Sequence, residues 1–91
     1  MNEKIYEVTF SPTFLKKLKK YNKDIQTEIA ERVELLKHIE NHSMLRVHKL
    51  KGRLKDSYSF SVGYQHRIVF DYLDQNTIYL LNFGGHEIYD K

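Results

Sequence analysis

The sequence predicts an α+β fold in which an N-terminal strand and an αα-hairpin precede an antiparallel sheet of three or four strands. The first half of the chain carries apolar residues at helical spacing, whereas the second half alternates apolar and polar residues with a period of two. A length of 91 residues is enough for one hydrophobic core, so residues 1–91 are predicted to form a single domain.

The N-terminal strand and the first helix meet at Ser11-Pro12. Residues 5–10 alternate apolar and polar side chains, as a short strand does. Ser11 can cap the free N–H groups of a helix, and Pro12 suits the first helical position because its missing N–H costs nothing there. The apolar residues that follow at helical spacing are Phe14, Leu15, Leu18 and Tyr21.

A second, longer helix is predicted to begin after Asn22, a suitable cap, and to run to about Asn41. Its apolar positions recur every three or four residues and therefore form one stripe. These positions are Ile25, Ile29, Val33, Leu36 and Ile39. Because almost no linker separates the two helices, they are expected to form an αα-hairpin.

The period changes to two near Leu45, and strands are predicted at residues 45–49, 57–64, 67–73 and 77–83. The helices are expected to cover one face of this sheet. Arg67 alternates with Ile68, so it should lie on the other face unless it is buried at high cost. Flanked by HKLKG and GGHEIY, this second face is predicted to be a basic concavity suited to a nucleic-acid backbone.

The charge distribution mildly favours a polyanionic partner. The net charge is +3 with a pI near 9.1, and basic residues cluster before and after an acidic second helix. A lysine-rich run such as LKKLKK forms a solvent-exposed helix face more often than a binding patch. The second basic cluster contains Arg46, Lys49, Lys51, Arg53 and Lys55.

Several classes of site are disfavoured by composition. The absence of cysteine excludes disulfides and thiolate metal sites. His48, His66 and His86 lack the spacing typical of a metal site, so neither a metal nor a cofactor is expected. No apolar run reaches the ~20 residues of a membrane span, and we expect a cytoplasmic protein without a membrane partner.

The residue types suit metal-independent cleavage of RNA, in which the 2′-hydroxyl attacks the adjacent phosphate. This reaction needs a base, an acid and cations beside the phosphate, roles that histidine and arginine fill well. Taken singly, His48 and His66 are more commonly structural than catalytic residues. For His86, a loop histidine hydrogen-bonded to backbone groups is as common as a catalytic one. The strand aromatics are most simply core residues. The residues of suitable type are His48, Lys49, Lys51, His66, Arg67, His86 and Tyr89.

These segments together resemble the RelE/ParE superfamily of bacterial type II toxins, in particular the RelE/StbE-like and YafQ-like mRNA interferases. The resemblance covers SPTFLKKLKK, HKLKG, YSFSVGYQHRIVFDYL and GGHEIY. It implies an endoribonuclease that cleaves mRNA in the ribosomal A site of the 70S ribosome and is held inactive by a cognate antitoxin.

Carried over by position, the resemblance gives catalytic roles to His48, Arg67, His86 and Tyr89. Many relatives read G-x-H-D-E-x-Y, and GGHEIYDK is one residue shorter between its histidine and tyrosine. His66 replaces an aspartate of YafQ-like toxins. RNA-binding roles are expected for Lys49, Lys51, Arg53, Lys55 and His66. Which of His48 and His86 is the base and which the acid remains open.

Two other functions fit the same fold. A ParE-like toxin would inhibit DNA gyrase by protein binding and would not need the set of His48, Arg67 and His86. A catalytically inactive member would only bind its antitoxin or RNA. Fold alone does not decide among the three, because one fold supports several functions.

Overall fold

Five strands form a single sheet in the computed structural model, which describes residues 4–85. In chain order they are β1 Glu7–Phe10, β2 His48–Lys49, β3 Tyr58–Val62, β4 His66–Tyr72 and β5 Thr77–Gly84. Their order across the sheet is β1-β5-β4-β3-β2. The strands β2 to β5 pair antiparallel with one another, which confirms the predicted α+β class.

The N-terminal strand β1 joins the same sheet at the edge beside β5 and runs parallel to it. Glu7 lies opposite Thr77, and Phe10 lies opposite Leu80. The Ser11 N–H donates to the Leu80 carbonyl at 2.9 Å, just beyond the end of β1. Parallel neighbours need a long crossover, and the helices and three strands between β1 and β5 provide it.

The two helices of the hairpin are α1, Pro12–Leu18, and α2, Lys23–Leu36. Both predicted caps are present. The Ser11 hydroxyl accepts the Phe14 N–H at 2.9 Å, and the Asn22 side-chain oxygen accepts the Ile25 N–H at 2.9 Å. Each bond satisfies one of the donors that a helix N-terminus leaves unpaired.

The helix α2 ends at Leu36, so its predicted extension to about Asn41 is wrong. The N-terminal segment takes the backbone groups that would continue the helix: Tyr6 N–H donates to the Lys37 carbonyl at 2.7 Å. The Ile39 N–H in turn donates to the Lys4 carbonyl at 3.1 Å. A 3₁₀ turn, Ile39–Asn41, and a short helix α3, His42–Leu45, follow.

The strand predicted over residues 45–49 is shorter than expected, because Leu45 belongs to α3 and β2 begins at His48. Arg46 ends α3 in the left-handed conformation, with φ of 60°. Its N–H donates to Ser43 O, and Val47 N–H donates to His42 O, both at 3.0 Å. This pair of bonds closes the helix and turns the chain towards β2.

One hydrophobic core lies between the hairpin and the sheet. The helices contribute Phe14, Ile29, Val33 and Leu36, and the sheet contributes Phe60, Val62, Ile68, Phe70, Ile78, Leu80 and Phe83. Burial of each such side chain is worth about 1.5–3 kcal/mol. The helices therefore cover one face of the sheet, as predicted, and leave the other for Arg67.

Tyr64 does not continue the apolar alternation of β3, contrary to the sequence-based expectation. The strand ends at Val62, and Gly63 adopts a left-handed conformation with φ of 66°. Tyr64 then lies in the turn to β4 with 98% of its surface exposed. It is a surface residue and not part of the core.

Candidate active site

Arg67 lies on the sheet face opposite the helices. Its neighbour Ile68 is fully buried in the core, and side chains alternate along a strand. Arg67 is half-buried and pairs with Ser61 on β3 and Gly84 on β5. We call this surface the Arg67 face; the strand register places on it His48, Ser59, Ser61, Val69, Asp71, Tyr79 and Asn82.

His48 shares the Arg67 face. It lies opposite Ser59, and Ser59 lies opposite Val69. Directly opposed residues of antiparallel strands project from the same side of the sheet. The register therefore brings two of the predicted catalytic residues, His48 and Arg67, onto one surface.

The imidazole of His48 is oriented by the backbone. Its Nδ1 lies 3.1 Å from the Arg46 carbonyl oxygen. A carbonyl can only accept, so Nδ1 carries the hydrogen, and in the neutral ring Nε2 keeps its lone pair. The left-handed conformation of Arg46 directs this carbonyl towards the ring, and the ring itself is exposed. His48 is therefore held in the tautomer that a proton acceptor at Nε2 requires.

The strand register does not place His48 and Arg67 in direct contact. Two strand spacings and two residue steps separate them, which corresponds to a Cα separation of about 12 Å. Long side chains that project from the same face can approach a phosphate group lying between them. The arrangement suits contact with a substrate more than a direct hydrogen bond between the two residues.

The centre of the Arg67 face is less open and less basic than predicted. Ser59 and Val69 are 0% and 3% exposed. Beside them the buried Ser57 hydroxyl donates to Asp71 Oδ1 at 2.5 Å. This bond ties the residue that precedes β3 to strand β4. The Asp71 carboxylate also places a negative charge on the Arg67 face. The expected concavity is thus a basic margin around a buried serine-rich centre.

The predicted RNA-binding lysines lie along the β2 edge and not over the centre of the Arg67 face. Lys49 lies opposite Tyr58, which packs against the core. By register Lys49 is therefore on the helix-covered side of the sheet. Lys51 and Lys55 are exposed in the connection between β2 and β3. The backbone of Arg53 lies in the 3₁₀ turn Gly52–Leu54, and its side chain is outside the described part of the structure.

His66 does not share the Arg67 face. It pairs with the core residue Val62 and so projects to the helix-covered side. Its ring stacks on Phe83 at 5.3 Å and meets the Tyr21 ring edge-on at 5.4 Å. The structure separates His66 from Arg67, although the two are adjacent in sequence, because neighbouring strand residues point to opposite faces.

His86 and Tyr89, two of the predicted catalytic residues, lie outside the described residues. Strand β5 ends beside Arg67, since Gly84 is the β5 partner of Arg67. The sequence thus continues from that point to His86. The expected catalytic roles of His86 and Tyr89 remain predictions.

A second polar network, centred on His42, was not predicted from the sequence. The His42 Nε2 donates to Leu36 O at 2.7 Å, so Nδ1 can accept from the Tyr72 hydroxyl at 3.1 Å. The Tyr6 ring stacks on His42 at 5.6 Å. Burial, followed by the proximity of Tyr6 and Tyr58, raises the pKa of Tyr72 to about 12. The sequence does indicate the position of Tyr72 in an alternating strand, but its partner His42 belongs to a helix that is distant in sequence.

No metal site is evident within residues 4–85, where no group of three or more histidine, cysteine or acidic side chains is placed to hold an ion. Within the same range no helix is long and apolar enough to cross a membrane.

A family comparison matches most of the chain. The model described as "ParE toxin of type II toxin-antitoxin system, parDE" matches residues 8–88. Among curated protein sequences, none matches this chain closely enough to count as a relative.

Several solved structures share the fold. RelBE2, a toxin–antitoxin complex from Mycobacterium tuberculosis, is similar with a TM-score of 0.74 and 20% identity, over 91% of this chain and 93% of that chain. YafQ from Escherichia coli is similar with a TM-score of 0.72 and 16% identity, over 94% and 99%. The YoeB dimer from Staphylococcus aureus has a TM-score of 0.66 and 26% identity, over 89% and 97%.

Proposed function

The chain belongs to the ParE toxin family of type II toxin–antitoxin systems, and from this premise we propose that it is a ribosome-dependent endoribonuclease. It would cleave mRNA in the A site of the 70S ribosome. No metal ion is needed in this proposal, because the attacking group is the 2′-hydroxyl of the RNA itself.

One observation carries this proposal: His48 and Arg67 project from the same sheet face, and the Arg46 carbonyl fixes the His48 tautomer. Inhibition of a protein target does not need an oriented imidazole and an arginine on the same sheet face. A proton-transfer reaction at a phosphate needs both.

In the proposed mechanism, His48 Nε2 takes the proton of the 2′-hydroxyl as that oxygen attacks the adjacent phosphorus. Arg67 binds the phosphate oxygens on which negative charge builds, since its guanidinium offers paired donors. The bond to the 5′-oxygen then breaks, and a second group returns a proton to this leaving oxygen. We assign that acid role to His86, and Tyr89 is proposed to contact the adjacent base.

The lysines at the β2 edge have a supporting role in this proposal. Lys49, Lys51 and Lys55 are exposed, and with Arg53 they would neutralise phosphates flanking the cleaved bond. Because none of the three lysines is placed by register on the Arg67 face, we expect them to affect RNA affinity more than the rate of the chemical step.

The end groups of the RNA products test the reaction type. Attack by the 2′-hydroxyl leaves a 2′,3′-cyclic phosphate on one fragment and a 5′-hydroxyl on the other. We expect these ends from ribosome-bound mRNA treated with purified protein that has first been dialysed against EDTA, in the Mg²⁺ buffer that keeps the 70S ribosome assembled. Fragments with a 5′-phosphate, or protein that loses its activity on this dialysis, would show a different mechanism.

A second candidate function is inhibition of DNA gyrase, and the match to the ParE family model is the observation that favours it. Induced expression separates the two candidates. Cuts in mRNA in phase with codons support the endoribonuclease, whereas intact mRNA with blocked replication and inhibited supercoiling supports the gyrase inhibitor. Absence of toxicity with normal antitoxin binding would identify an inactive member.

The proposed protein partner is a cognate antitoxin. Solved structures with this fold include RelBE2 from M. tuberculosis, which is described as a toxin–antitoxin complex, and the RelE–RelB complex from Pyrococcus horikoshii and the YoeB–YefM complex from S. aureus. An acidic antitoxin segment over Arg67 and the β2-edge lysines would block RNA directly. Its affinity should then fall as salt is raised.

A further inference from the structure

A second basic surface lies outside the Arg67 face, where α1 ends against strand β5. A hollow of about 280 Å³ is lined there by Lys17, Lys20, Tyr21 and Phe83. Among the described residues its lining includes two cations and two aromatic rings, and no acidic side chain. We call it the Tyr21 hollow.

The aromatic wall of the Tyr21 hollow is fixed by packing. The Tyr21 and Phe83 rings meet at 4.8 Å, and the half-buried His66 ring contacts both. Phe83 is fully buried, so Tyr21 is the ring that presents surface to a ligand. An aromatic ring held in this way offers a flat stacking surface at little entropic cost.

The end of α1 that carries these residues is also held in place. The Gln26 side-chain amide donates to Leu18 O at 3.1 Å and to Tyr21 O at 2.8 Å, which ties α2 to the end of α1 and to the turn that follows it. The Lys20 N–H donates to the Lys17 carbonyl at 3.0 Å. The two lysines therefore sit on a preformed turn beside the ring.

The lysines of α1 and of the turn after it divide between two surfaces. Lys17 and Lys20 line the Tyr21 hollow, whereas Lys16 and Lys19 line a separate hollow with Pro12, Thr13 and Leu15. The LKKLKK run is thus not one uniform solvated face. Only one of its two lysine pairs is accompanied by an aromatic ring.

We propose that the Tyr21 hollow binds a nucleotide of single-stranded RNA, with the base stacked on Tyr21 and the phosphate held by Lys17 and Lys20. This inference rests on the proposed endoribonuclease function and extends its RNA contacts beyond the cleaved bond. A ring beside two cations suits a nucleotide, which has a flat base and an anionic phosphate.

The hollow and the Arg67 face are joined at the end of strand β5. Phe83 projects to the hollow, and the next residue, Gly84, is the register partner of Arg67. Consecutive Cα atoms are about 3.8 Å apart, so the two sites lie on opposite sides of one short stretch of backbone. One RNA strand that passes around the sheet end can contact both.

Binding of RNA probes of two lengths tests this proposal without any cleavage. Both probes are 2′-O-methylated: a dinucleotide that fills only the Arg67 site, and a strand of about twelve nucleotides that also reaches the hollow. For the longer probe, the double variant Lys17→Ala/Lys20→Ala should bind about tenfold more weakly, and its slope of log K against log salt should be smaller by about 1.4. Dinucleotide binding should not change.

The matched control is Lys16→Ala/Lys19→Ala, which removes the same charge from the same segment and should change binding of either probe less than about twofold. Tyr21→Ala should weaken binding of the longer probe about tenfold and Tyr21→Phe should not, with thermal melts checking that each variant folds. Equal losses for the two lysine pairs, or unchanged binding in Lys17→Ala/Lys20→Ala, would overturn the proposal. A loss of antitoxin binding in Lys17→Ala/Lys20→Ala, with RNA binding unchanged, would also overturn the proposal.

The outcome is separable from that of the proposed function. A parent protein that binds the longer probe through Lys17 and Lys20 but does not cut mRNA would retain the Tyr21 hollow and refute the endoribonuclease. If Arg67→Ala abolishes cutting while Lys17→Ala/Lys20→Ala binds like the parent, the hollow proposal alone fails.

Discussion

The Nδ1 atom of His48 lies 3.1 Å from the carbonyl oxygen of Arg46, the residue in the left-handed conformation that ends helix α3. A local backbone feature therefore sets the tautomer of a side chain on the Arg67 face. The orienting group belongs to the backbone, so its effect should survive changes of the Arg46 side chain that keep this conformation.

Arg46→Gly should keep the backbone conformation and with it growth inhibition by the protein. Glycine accepts positive φ without the strain of about 1–2 kcal/mol that a side chain suffers, so thermal stability should be unchanged or slightly higher. Arg46→Val also removes the charge, but a β-branched residue disfavours this conformation and should lower both stability and toxicity. Equal toxicity of the two variants would show that the left-handed turn does not matter.

His48→Gln should lower RNA cleavage by about 10²–10⁴-fold, the usual loss when a general acid or base is removed. The exposed side chain makes little contribution to packing, so the thermal midpoint should change little. His38→Gln is the matched control because His38 is in the turn after α2, away from the Arg67 face. If the two variants were equally active on ribosome-bound mRNA, His48 would not be the base.

Ser57→Ala should destabilise the fold by about 1–2 kcal/mol, because it removes a buried hydroxyl that donates to Asp71. The exposed Ser61 on β3 is the control, and Ser61→Ala should change the free energy of unfolding by less than about 0.5 kcal/mol. Urea unfolding of both variants measures the difference. Equal values would mean that the Ser57–Asp71 bond contributes nothing to stability.

Alkaline pH should destabilise the protein through Tyr72, whose pKa is raised from 10.0 to about 12 in the folded state. Between these two pH values the unfolded chain releases the proton and the folded chain keeps it, so stability falls as pH rises. Tyr72→Phe should be about 1 kcal/mol less stable at pH 8, because it loses the bond to His42. Thermal midpoints of parent and variant should then converge as pH approaches 12, and a constant gap would contradict the raised pKa.

Local patterns were enough to predict much of the fold. The Ser11-Pro12 and Asn22 caps and the alternation of Ile68 and Phe70 against Arg67 depend on neighbouring residues, and these predictions are confirmed. The end of α2 depends instead on bonds from Lys4 and Tyr6, distant in sequence. Periodicity does not carry that information.

The candidate site shows the same division. Alternation along β4 correctly predicted the face of Arg67, but the same rule places its neighbour His66 on the other side. The contact of His48 with Arg46 depends on a left-handed conformation at a residue that is not glycine, and sequence pattern rarely reveals such a position. The Tyr21 hollow needs the meeting of α1 with β5, a tertiary contact that composition cannot predict.

Mapping of mRNA 5′ ends after induced expression tests the central claim most directly, with the parent compared with Arg67→Ala and with Arg32→Ala on α2 as the charge-matched control. The account predicts codon-phased cuts in the parent and in Arg32→Ala, and a loss of about 10²–10³-fold in Arg67→Ala, the usual effect of removing a donor to a developing oxyanion. Codon-phased cuts that persist in Arg67→Ala, or intact mRNA in a toxic parent, would contradict it.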